Sequence, residues 1–168
     1  MVIKHTGQRV AVLIDVQNLY HSAKNIYGAR VNFREVLKLA VSQRNLIRAF
    51  AYVVRTKTGE EKLFFEALTK LGIETRVRDL QEFYGGLKKA DWDVGITVDA
   101  IRIAPSIDTI VLASGDGDFI QLVEYLKNQG KRVEVIAFSH SASSKLKEVA
   151  DEFIDLEKHP KSIYIKND

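Results

Sequence analysis

Acidic residues gather at three places in this 168-residue sequence. Asp15 directly follows the apolar run 10–14, and Asn18 stands three residues on. Asp116 and Asp118 alternate with glycines in Ser114-Gly115-Asp116-Gly117-Asp118. Asp91, Trp92 and Asp93 open a further segment that carries Asp99 inside it. A carboxylate at the end of a buried apolar run needs a cation, a hydrogen-bond donor or a proton. If the strand before Ser114 lies beside the strand before Asp15, then Asp15, Asp116 and Asp118 converge and repel one another. No lysine or arginine lies in these loops, so a divalent cation is the simplest compensation. All-oxygen ligation points to Mg²⁺ or Mn²⁺. The helix-capping account stands beside this one: Asp116 with Asp118, and Asp91 with Asp93, also fit N-cap and first-turn positions.

Alternating strands and helices must position these residues. The run 9–15 is continuous, apolar and β-branched, which predicts a strand buried on both faces. Similar runs occupy 46–54, 73–77, 109–113 and 132–137. Helical spacing predicts helices from 31–35 to about 42, and over 60–71, 91–103 and 118–128. Gly72 and Gly130 stand where two helices should stop, as left-handed helix ends favour glycine. Alternation with short connections implies a parallel sheet with helices on both faces. Function in such sheets collects where strands end and helices begin, which is where the acids lie. There is no internal repeat, low-complexity segment or linker, so residues 1–168 are expected to form one domain with a core of about 9–156 and a polar tail of about 157–168.

Composition narrows the classes. At 46% hydrophobic and 28% charged the chain is ordinarily globular. It has no cysteine, which removes disulfides, zinc fingers and Fe–S sites and suits a reducing cytoplasm. No apolar run is long enough to span a bilayer and no signal-peptide core opens the chain, so no membrane partner is expected. The net charge of +3 is uneven. Lys and Arg outnumber Asp and Glu by 6 to 2 over 1–43 and by 10 to 6 over 44–89, whereas acids lead by 14 to 9 over 90–168. A basic first half facing a carboxylate-rich second half suits an enzyme that attracts a polyanion and gathers acids around a cation.

Other chemistries fit less well. The four histidines are scattered, without a His-x-x-x-His pair. Gly115-Asp116-Gly117 lacks the third glycine of a dinucleotide fingerprint and follows the wrong strand. No P-loop occurs. A haloacid-dehalogenase-like phosphatase needs a second acid two residues after the first strand's acid, and that position is Gln17.

The set Ile14-Asp15-Val16-Gln17-Asn18, Lys89 to Asp99, and Ser114 to Phe119 resembles the NYN domain, in its LabA-like (DUF88) branch of the PIN-like nuclease superfamily. The match runs over about 10–154, with the motifs in order. The resemblance implies a three-layer α/β/α Rossmann-like sandwich with a parallel sheet of order 3-2-1-4-5, which would make strands one and four neighbours. It implies a metal-dependent ribonuclease whose catalytic, metal-binding acids are Asp15, Asp93, Asp116 and Asp118, with Asp99 ranked second and Asn18 orienting a ligand or phosphate. Ser114 would donate to an acid or phosphate oxygen, although a Ser before a Gly turn also serves as a plain turn residue. Lys88, Lys89, Arg55 and Lys57 are candidates for phosphate contacts, each also readable as a solvated side chain. Tyr20, Tyr84 and Trp92 are candidates for base stacking, with packing favoured for Trp92. The expected partner is single-stranded RNA, with a homodimer or another protein supplying specificity. The alternative is an RNA-binding or regulatory module that keeps the acids but cleaves little.

Overall fold

The computed structural model describes residues 4–82, 88–89 and 91–164. In chain order the elements are β1 (Arg9–Asp15), α1 (Val16–Tyr27), β2 (Arg30–Val31), α2 (Phe33–Val41), β3 (Asn45–Arg55), α3 (Lys62–Lys70), β4 (Glu74–Asp79), β5 (Gln81–Glu82) and β6 (Lys88–Lys89). There follow α4 (Asp93–Ile103), β7 (Thr109–Ala113), α5 (Ile120–Asn128), β8 (Arg132–Ala137), α6 (Ser144–Val149), β9 (Glu152–Asp155) and β10 (Ile163–Tyr164).

The main sheet has six strands in the order β4-β3-β1-β7-β8-β9, all parallel. The expected order of five strands is its first five members, and β1 and β7 are neighbours as the acids require. The sixth strand, β9, adds to that expectation: Glu-Phe-Ile-Asp is short and ends in acids, without the apolar run that marks a central strand. β5 and β6 pair separately, and β10 pairs antiparallel with β2.

β1 is the axis of the fold. Val10 through Ile14 are wholly buried, and their alternation feeds two cores. Val10, Val12 and Ile14 pack with α1, α2 and α3, whereas Ala11 and Leu13 pack with α4, α5 and α6. Helices therefore cover both faces, giving the three layers. Each fully buried Val, Leu or Ile contributes about 1.5–3 kcal/mol. Gly72 and Gly130 close α3 and α5 at φ 84° and 81°, the left-handed conformation expected of them.

The boundaries shift where local chemistry overrules periodicity. Asn32 caps α2, its side chain accepting from the Glu35 amide, so that helix begins at Phe33. The helix expected from residue 118 begins at Ile120, because Gly117–Phe119 form a 3₁₀ turn capped by Asp116. At the lower end of the sheet Glu134 is wholly buried and receives both terminal nitrogens of Arg44 at 2.8 Å. It also accepts from Arg132 Nε at 2.7 Å. These pairings hold the Glu134 carboxyl below its usual range despite burial.

Candidate metal centre

Sheet register brings the acids together. Ile14 pairs with Ala113, so Asp15 and Ser114 are the next residues off two adjacent strands. Ser114 is wholly buried and its hydroxyl donates to Asp15 Oδ2 at 2.9 Å. Ser114 Oγ in turn accepts from the Asp116 amide at 3.2 Å. Asp15 Oδ1 caps α1 by accepting from the Asn18 amide at 3.3 Å. Asn18 Oδ1 accepts from the Gly115 amide at 2.9 Å, and Asp116 Oδ1 from the Asp118 amide at 2.9 Å. Asp116 thus serves both readings of the sequence, capping a helical turn and facing the cluster, and Asp15, expected only as a buried carboxylate in need of a partner, also caps a helix.

The two glycines of this turn do not adopt left-handed backbone. They permit close approach. A Cβ on Gly115 would lie 2.8 Å from Ala142 Cα, and one on Gly117 would lie 3.1 Å from Ser143 Oγ. The Ser143 amide donates to the Gly115 carbonyl at 2.9 Å. Ala142 and Ser143 therefore hold the acid-bearing turn from behind, a role with no signal in the sequence because it depends on two loops far apart in the chain meeting in the fold.

The third arm is α4. Trp92, just before its first residue, donates Nε1–H to the Val53 carbonyl at 3.0 Å and packs its ring 5.4 Å from that of Tyr52. Gly95 makes room, since a Cβ there would sit 2.5 Å from Trp92 Cε3. Trp92 is an anchor, and it fixes Asp93 over the end of β1.

Carboxylate oxygens of Asp15, Asp93 and Asp116 lie within 4.8 Å of one another. Burial raises the Asp15 pKa, with the charges of Asp116 and Asp91 adding, against the lowering bonds from Ser114 and Asn18. Asp93 is pushed up to about 7 by burial first, then by Asp116, a hydrogen bond with Asp118, and the charges of Asp91 and Asp15. Asp118 is exposed and meets the cluster through Asp93. Asp91, a capping candidate by sequence, acts more widely, since its charge reaches both Asp15 and Asp93.

The remaining candidates lie apart. Asp99 accepts from the buried Tyr52 hydroxyl at 2.8 Å and faces Arg76 at 3.4 Å, so it does not join the trio. Arg55 lies three residues beyond Tyr52, the register partner of Asp15, and pairs with Asp79 at 2.9 Å. Lys57 is exposed in the loop after β3. Arg55 also lines a cavity of about 660 Å³ with Glu61, Lys62 and Phe65, to which none of the aspartates contributes. Lys88 and Lys89 form β6 opposite Glu82 and Gln81, and their side chains lie outside the described residues, as does Tyr84. Tyr20 is 45% exposed on α1, edge-on to His21.

The NYN domain profile matches residues 9–157. The chain belongs to the NYN domain family. This NYN domain is 28% identical over 156 residues to the low amplitude and bright protein LabA of Synechococcus elongatus, covering 88% of the chain and 83% of that protein. It is 30% identical over 156 residues to the uncharacterized protein MJ0482 of Methanocaldococcus jannaschii, with 91% of the chain matched to 58% of that longer protein. The crystal structure of a protein of unknown function, VPA0982 from Vibrio parahaemolyticus, superposes with a TM-score of 0.86 at 30% identity, covering 97% of this chain and all of that one. The NYN domain places the chain in a nuclease superfamily, and the six-stranded parallel sandwich is the PIN-like architecture. Among the described residues, no helix is long and apolar enough to cross a membrane.

Proposed function

We propose that this NYN domain is a metal-dependent ribonuclease that hydrolyses phosphodiester bonds of single-stranded RNA in the cytoplasm. The supporting observation is the trio of aspartate oxygens, from a strand end, a helix start and a turn, within 4.8 Å of one another. The donor set fits the ion that the family implies. It is hard oxygen throughout, and burial first, then the neighbouring acids, push the Asp15 and Asp93 carboxyls up, as expected of partly buried acids that, among the described residues, no lysine or arginine pairs.

Asp15, Asp93 and Asp116 would hold Mg²⁺ or Mn²⁺, with Asp118 beside them to complete the ligands. A divalent cation bound there supplies a water of lowered pKa and neutralises charge on the phosphate. The chain's own residues prepare the place. Ser114 and the Asn18 amide fix both oxygens of Asp15, so its carboxylate is oriented before any ligand arrives. Asp93 would have to be ionised to hold a cation, so binding there would tighten as pH rises. Asn18 commits its side-chain oxygen to Gly115, leaving its side-chain Nδ2 to donate to a substrate phosphate.

The test is cleavage of labelled single-stranded RNA with Mg²⁺ or Mn²⁺ by wild type, Asp15→Asn and Asp118→Asn. Wild-type cleavage that both variants and EDTA abolish supports the reading. Equal activity in all three, or activity that survives EDTA, overturns it. Binding without cleavage in either metal would make the chain a regulatory RNA-binding module instead.

A further inference from the structure

Helix α4 lies over β1 and reaches β3 where Asp99 accepts from Tyr52, and among the described residues the outer part of the same face, over Phe50 and β4 at the sheet's edge, carries arginines. Register puts Phe50 and Tyr52 of β3 on that face beside Glu74 and Arg76 of β4, with Arg48 and Arg78 in the same alternation. Arginines cover it. The guanidinium carbons of Arg48 and Arg76 lie 4.4 and 5.0 Å from the Phe50 ring centroid, and that of Arg78 lies 4.4 Å from the Trp92 ring. Arg102 projects from α4 to within 4.0 Å of Asp99, which also faces Arg76. The side chains of Arg48, Arg76 and Arg102 are 42%, 43% and 76% exposed.

We infer that this stripe is the track on which an RNA strand lies as it enters the acidic centre, an inference that rests on the ribonuclease reading above. Four guanidiniums face two carboxylates, Glu74 and Asp99, so the stripe is a net positive surface beside the negative cluster. It begins at that cluster: Arg78 donates to the Asp91 carbonyl at 2.6 Å, two residues before Asp93. Arg76 lies about 6.6 Å further down β4, a spacing suited to successive phosphates of an extended strand. The aromatic rings lie within cation–π distance of the guanidiniums, which restrains these side chains before a ligand arrives, and their exposed sides can meet phosphates and bases. Among the described residues Arg102 shields no ring, so apolar cover does not explain it, and its charge extends the stripe onto α4.

The test uses a fluorescein-labelled oligouridylate in EDTA, which separates binding from cleavage. Arg76→Ala/Arg102→Ala should weaken binding about tenfold or more at low salt and flatten the log affinity against log salt slope by about 1.4, near 0.7 for each phosphate no longer neutralised. Arg102→Glu alone should weaken binding in the same direction, and its exposure keeps the test valid if the double variant loses stability through Phe50. Arg34→Ala/Lys38→Ala, which removes two exposed charges from α2 on the opposite layer, should change neither quantity. Hydrolysis of bis(p-nitrophenyl) phosphate with Mn²⁺, a diester too small to reach the stripe, should be unaltered by Arg102→Glu. An unchanged salt slope, or an equal loss in the α2 control, overturns the track. So does a chain dimer that Arg102→Glu dissociates without weakening RNA binding. If wild type hydrolyses neither substrate while the stripe variants still lose affinity, the ribonuclease reading fails and the track stands as a binding surface.

Discussion

Ser114, wholly buried, donates its hydroxyl hydrogen to Asp15 on the neighbouring strand and accepts the amide of Asp116 on the same oxygen. One side chain thus ties together two of the three acids. Ser114→Ala should remove both bonds and leave the Asp116 amide short of a partner. The expected loss is about 1–3 kcal/mol of stability and about 10- to 100-fold of Mn²⁺ affinity. Thermal melting in EDTA and a Mn²⁺ titration followed by calorimetry would read the two effects. Intact Mn²⁺ affinity would show that Asp15 needs no such support.

Asp93 offers a prediction of opposite sign. Its folded pKa of about 7 stands above the ordinary 3.8. Between those values the folded chain binds more protons than the unfolded one, so this group lowers stability as pH rises from about 4 to 7. Asp93→Asn removes the cost of burying that charge and its repulsion from Asp116, Asp91 and Asp15. In EDTA the variant should melt higher than wild type at pH 8, with the gain gone near pH 5, where wild-type Asp93 holds its proton. With Mn²⁺ present the order at pH 8 should reverse, since the variant has lost a ligand.

Gly115→Ala would drive a methyl group to 2.8 Å from Ala142 Cα, a backbone atom that cannot turn aside. Overpacking of this kind costs about 1–3 kcal/mol, and the turn carrying Asp116 would shift. Gly7→Ala meets nothing within 4 Å and should be silent. Denaturant unfolding of both, with RNA cleavage alongside, tests whether the backing from Ala142 and Ser143 sets the position of the acids.

Glu134 lies far from the acids in role as well as place. Glu134→Gln leaves the buried Arg44 without its counter-charge and should cost about 3–5 kcal/mol. Because pairing holds the wild-type carboxyl below its ordinary 4.5, the stabilisation it gives is present above that pH and is lost as pH falls through the folded value. The wild-type melting temperature should therefore drop in that acid range more steeply than the variant's. The Mn²⁺ affinity of the folded variant should match wild type; a weakened one would tie this ion pair to the metal centre.

The strands and the acids were legible for related reasons. Val10 through Ile14 announce a strand buried on both faces, and Asp15 stands out because such a run rarely ends in a charge. Asp116 and Asp118 are visible as a pair because they share one short turn. The contribution of Asp91, the backing by Ala142 and Ser143, and the diversion of Asp99 to Tyr52 and Arg76 were not legible. Each depends on how a helix is rotated over the sheet or how two distant loops abut, and periodicity along one segment carries neither. The arginines over Phe50 were hidden for the same reason: their alternation on β3 and β4 becomes a stripe only when the register aligns the strands.

The strand order also sets a schedule. Asp15 and Ser114 meet although 99 residues separate them, and at about 5–20 residues/s of synthesis that interval lasts roughly 5–20 s. Until β7 emerges and docks beside β1, Asp15 has no neighbour on that side and the trio does not exist. A growing chain, tethered among ribosomal and messenger RNA, is thus made with its acids dispersed. The parallel topology delays assembly of the centre until most of the polypeptide has been translated.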